Sequence, residues 1–71
     1  MTLAETICGE IANSQRKQAD IAFLYATALS SIEPTAPDWR EINTAILNRW
    51  SMSGLEKIKA KAWKIAQATA A

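Results

Sequence analysis

The chain has no histidine, one cysteine, two glycines and two prolines in 71 residues. Without histidine, the side chain that most often serves as a general base near neutral pH is missing. With Cys8 alone, no intramolecular disulfide and no Cys/His zinc site can form within these residues. Long apolar runs are also absent. The longest covers residues 21–26, far below the roughly 18 residues of a membrane span. The N-terminal stretch carries Glu5 and Glu10 and no basic cluster, so a secretory signal is not expected. A single cysteine falling among apolar residues suits an inert packed thiol in a reducing, cytoplasmic setting.

Charge is nearly balanced overall at +1, but it is unevenly distributed. Residues 1–36 carry −2, residues 37–50 are neutral, and residues 51–71 carry +3 from four lysines against Glu56. The basic end is the one electrostatic pointer to a polyanionic partner. Alanine makes up about a fifth of the chain. That favours helix but leaves the core volume to isoleucine, leucine and three tryptophans. A chain this short buries only about 60% of its unfolded surface, so one core is marginal and self-association would help it.

The spacing predicts an all-α domain with helices over about 3–31, 38–50 and 54–68 and a linker over about 32–37. Thr2-Leu3-Ala4-Glu5 reads as a capping box that starts the first helix. Ala4, Ile7, Ile11, Ser14, Gln18, Ile21, Tyr25, Ala28 and Ile32 follow a 3-4 spacing that keeps one phase. The apolar phase on both sides of Ser14 and Gln18 favours one continuous helix, roughly 43 Å long. Its weakest point is Asn13-Ser14-Gln15, where poor helix formers meet the polar part of the seam. Such a seam cannot bury itself, so self-association through this helix is expected, with Ile7 and Ile11 as interface residues.

Pro34 stops the helix, because Glu33 before it is pushed towards extended geometry. Asp38 starts the second helix, in which Trp39, Ile42, Ile46 and Trp50 share one face. Ser53-Gly54-Leu55-Glu56 is a further capping box opening the third helix. Its buried stripe is expected to be Leu55, Ile58, Ala62, Ile65, Ala66 and Thr69, and its end over residues 67–71 is expected to fray.

Four features bear on function. Phe23 and Leu24 fall outside the main apolar arc, so they are candidates for a protein interface. Lys57, Lys61 and Lys64 cluster opposite the buried stripe, and with Lys59 and Trp63 they could contact nucleic acid or another anion. The last two helices resemble a helix-turn-helix pair, although Arg49 stands where a turn glycine would be usual and base-reading residues are scarce in the last helix. Arg16 and Lys17 are a further candidate for a small anionic ligand held between subunits. Catalysis finds no paired carboxylates, nucleophile turn or phosphate loop. No enzyme activity, metal or cofactor is expected.

The small size, helix-only makeup and lack of a catalytic set resemble those of phage or mobile-element proteins that act by binding something larger. The leading expectation is therefore a non-catalytic protein-binding module of inhibitor or adaptor type that also self-associates. A DNA- or RNA-binding protein is the alternative.

Overall fold

The computed structural model describes residues 2–70, with side chains for residues 2–68. All regular structure among the described residues is helical: α1 (Leu3–Ala12), α2 (Gln18–Ser31) and α3 (Asp38–Ala70). The helical segments follow the expected order along the chain, but the first expected helix is interrupted.

The interruption lies at residues 13–17. The Thr2 hydroxyl accepts the Glu5 amide at 3.1 Å, so α1 starts as expected. It does not run on to residue 31. The Asn13 side chain accepts the Gln15 amide at 3.0 Å, and the Arg16 amide donates to the Asn13 carbonyl at 3.0 Å. An asparagine that bonds its own neighbouring backbone in this way competes with the helix. The Arg49 guanidinium then takes four carbonyls of the break: Ile11 at 2.7 Å, Asn13 at 2.9 Å, Ser14 at 3.3 Å and Arg16 at 2.5 Å. These oxygens need donors once the helix stops. Arg49 supplies them from 33–38 residues further along the chain. Asp20 begins α2 by accepting the Lys17 amide at 3.0 Å.

The expected joint within α3 lies at residue 51. Residues 38–50 and 54–68 were expected to be separate helices joined by a short turn. Two helical arms do meet here, at a sharp kink at Ser51, whose φ is 64° and ψ is −174°. That region is essentially reserved for glycine and costs a serine about 1–3 kcal/mol. Three residues on, Gly54 is buried, and an added Cβ there would collide with the Trp50 Cβ. The two arms therefore fold against each other with a single non-helical residue between them, which is not the turn of a helix-turn-helix.

The linker reverses the chain compactly. Ala36 donates to the Glu33 carbonyl at 3.0 Å, and the Trp39 indole N–H donates to the same oxygen at 2.8 Å. This returns the first arm of α3 along α2, so that Tyr25 meets Trp39, with ring centroids 5.0 Å apart. The Tyr25 hydroxyl donates to the Asn43 side-chain oxygen at 3.1 Å.

The core is built mainly from isoleucine. Ile7, Ile11, Ile21, Ile42, Ile46 and Ile58 are its largest fully buried side chains. Each is worth about 1.5–3 kcal/mol relative to exposure. Alanines 4, 22, 28 and 62 let the helices approach closely, and no described polar or charged side chain is buried. Trp39 and Trp50, expected inside, are half-buried and pack on the rim of the core. Leu55, Ile58 and Ala62 of the expected stripe are buried, while Ile65 and Ala66 are only partly so. Thr69 lies outside the described side chains. The stretch expected to fray is helical as far as Ala70, and Ala71 lies outside the described residues.

This packing places the apolar seam of the N-terminal helix inside the chain's own core. Ala4, Ile7 and Ile11 are 1%, 0% and 2% exposed. The break turns α1 back onto α2 and α3, so the apolar seam is covered by the same chain. Ile7 and Ile11, expected at an interface, are core residues of this chain.

Candidate protein-binding surface

Among the large apolar side chains of the described residues, Phe23, Met52 and Trp63 stay exposed, at 60%, 57% and 59%. The three differ in their surroundings. Phe23 stands on the outward side of α2 and borders two shallow grooves. One, of about 360 Å³, lies between α1, the break and α2, and is lined by Thr6, Glu10, Arg16 and Asp20. The other, of about 370 Å³, is lined by Ala26, Thr27, Ser30 and Ile65. Leu24 borders both grooves and is half-buried, so only Phe23 projects fully. The ring sits on a firm base, because α2 buries Ile21, Ala22, Tyr25 and Ala26 around it.

The cations are distributed in two places. Lys57 and Lys61 line a shallow groove with Gln18 and Ala19 at the start of α2, on the side of α2 that meets the second arm of α3. Lys59 lines a different cleft, of about 260 Å³, with Tyr25, Trp39, Pro34 and Asn43. All four lysines of this arm are exposed, and none makes an ion pair among the described residues. Arg16 differs: it pairs with Glu10 at 2.5 Å across the break.

Two titratable groups are shifted. Burial, with the Glu41 carboxylate adding to it, pushes the Cys8 thiol above its ordinary value. Near neutral pH the group is therefore a protonated thiol with little nucleophilic character. Burial also raises the Tyr25 hydroxyl, which keeps it a donor to Asn43.

The residue that matters most to this architecture was not legible as such. Arg49 reads in the sequence as a departure from a helix-turn-helix pattern. In the molecule its guanidinium closes the α1–α2 break and lies 4.2 Å from the centroid of the Trp50 ring. Nothing local marks this role, since its partners lie more than thirty residues away.

No helix of the described residues is long and apolar enough to cross a membrane. Comparison of the chain with models of known families, with curated proteins and with solved structures gives no match.

Proposed function

We propose that this chain is a small non-catalytic module that receives a partner protein on the outward face of α2, with Phe23 as the apolar anchor. The observation that carries the reading is the contrast between Phe23 and the rest of α2. The helix buries its other large apolar side chains wholly or partly, yet it leaves a phenylalanine 60% exposed between two grooves. An exposed aromatic beside concave, partly apolar ground is the usual makeup of an interface anchor. The unpaired Lys57 and Lys61 flank the start of the same helix. They favour a partner segment that carries carboxylates next to its apolar contact.

The test is capture from a cell lysate by the wild-type chain and by Phe23→Ala. A partner retained by the wild type should be lost by the variant, with about 30-fold or greater weakening once purified, as expected for a central aromatic anchor. The circular dichroism of the variant should be unchanged. An identical set of captured proteins would refute the reading.

The exposed, unpaired lysines support a second reading, nucleic-acid binding by phosphate contact. It calls for binding to random duplex or single strands that weakens steeply with salt. Removing Lys57 and Lys61 together should reduce the salt slope by about 2. Absence of binding at low salt would remove this reading and leave the first intact.

A further inference from the structure

We propose that Ser51 is a strained hinge and that α3 can straighten at it, exchanging its second arm with a second copy of this chain to form a swapped dimer. Ser51 has φ 64° and ψ −174°, while helix continues on both sides of it. The fold therefore holds a serine in a conformation natural to glycine at the one point where α3 doubles back. The kink also forces the Gly54 backbone against the Trp50 side chain, where an added Cβ would overlap the Trp50 Cβ and lie 3.3 Å from its Cγ. In a straight helix, Cβ atoms four residues apart are about 5–6 Å apart. Straightening relieves both constraints together.

The occupant follows from what the second arm buries. Leu55, Ile58 and Ala62 are 5%, 1% and 0% exposed and fill a core formed with α1, α2 and the first arm. A straightened α3 of 33 residues would be about 50 Å long. The molecule's longest extent is 32 Å, so the arm would leave its own core. The surface shaped to receive those three side chains is the same core in another copy. Exchange restores every buried contact and releases the hinge strain, which is the usual route to a swapped dimer. The Arg49 bonds to residues 11–16 lie wholly within the part that does not move. Met52, 57% exposed, and Trp50 beside the hinge would meet their counterparts near the two-fold axis. The docking face at Phe23 plays no part in this inference.

Two kinds of substitution push in opposite directions. Ser51→Gly removes the strain from the kinked form and, because two hinges straighten per dimer, should lower the dimer association constant about 30-fold or more. Gly54→Ala is opposed by Trp50 in the kinked form alone, and Ser51→Ala keeps the strain while favouring helix; both should raise dimerisation by about tenfold or more. Each chain is refolded from urea at low and high concentration, and its mass is measured by light scattering after gel filtration. Chains with Cys8→Ser, Arg40→Cys and Gln67→Cys, spin-labelled and refolded in excess unlabelled protein, then give the intrachain distance. In the dimer it should lengthen to about 40 Å, the span of 27 helical residues. Ser51→Ala keeps the test open if Gly54→Ala fails to fold. Monomers throughout, or a dimer whose intrachain distance stays that of the monomer, would overturn the proposal.

Discussion

Removing the Arg49 guanidinium should destabilise the chain by about 2–4 kcal/mol. The figure starts from its four hydrogen bonds to the carbonyls of residues 11, 13, 14 and 16. Three of these carbonyl contacts are exposed, so water can replace the guanidinium there at small net cost. The bond to the Ile11 carbonyl at 2.7 Å is part-buried, and leaving that oxygen without a donor costs about 1–3 kcal/mol. A cation at the C-terminal end of α1 adds about 0.3–1 kcal/mol. The ring contact with Trp50 adds about 0.5–1 kcal/mol. A domain of this size has roughly 5 kcal/mol or somewhat more in total. Arg49→Ala would then remove a large share of it and lower the melting temperature by roughly 10–25 °C. Urea unfolding followed by tryptophan fluorescence gives the difference at constant slope. Arg49→Lys is the control. It keeps the cation but has no planar fork, so it should recover less than half of the loss. A loss under about 0.5 kcal/mol for Arg49→Ala, or a lysine variant as stable as wild type, would show that the break holds without the clamp.

Further outcomes follow from the same structure. Ile7→Ala should cost about 2–5 kcal/mol in urea unfolding, because Ile7 is fully buried in the monomer; a near-neutral result would return it to the surface. Tyr25→Phe should cost about 0.5–1.5 kcal/mol by removing the bond to Asn43, with Tyr25→Phe in an Asn43→Ala background showing the coupling. Because the Cys8 and Tyr25 groups are raised on folding, the folded state binds more protons than the unfolded one at high pH. Their contribution to stability is present in full below the ordinary thiol value of about 9 and is lost as pH climbs past it. Urea midpoints from pH 7 to 11 should therefore fall, and less steeply in Cys8→Ala with Tyr25→Phe; an equal fall in that variant would assign the effect elsewhere. Trp39→Phe should cost about 1–2 kcal/mol and loosen the linker, read as faster amide exchange at Ala36, since the indole bond to the Glu33 carbonyl is lost.

Much of the secondary structure is local chemistry and was legible. Thr2 caps α1, Pro34 closes the segment that ends with α2, and Asp38 opens α3. The candidate surface was legible in part. Phe23 stands out because it breaks the helical stripe, a property of spacing alone. Leu24 breaks it too, yet it is half-buried, since the groove walls rise around it. Lys57 and Lys61 share a groove as their spacing implies, whereas Lys59 belongs to the aromatic cleft on another side of the arm.

By itself, the sequence determined that the chain is helical, which positions are apolar and where proline must end a helix. These properties depend on residues within one or two turns of each other. The sequence marked Asn13-Ser14-Gln15 as the weak point of residues 3–31, but the 3-4 spacing satisfies one helix or two, and tertiary structure decided between them. The balance is set by Arg49, more than thirty residues away, whose guanidinium offers the carbonyls of the break a better donor than solvent. It also decided that the seam folds inward against the same chain. Residues 38–70 had the pattern of two helices, and only the docking of Leu55, Ile58 and Ala62 into the isoleucine core explains why the kink is held at a strained serine.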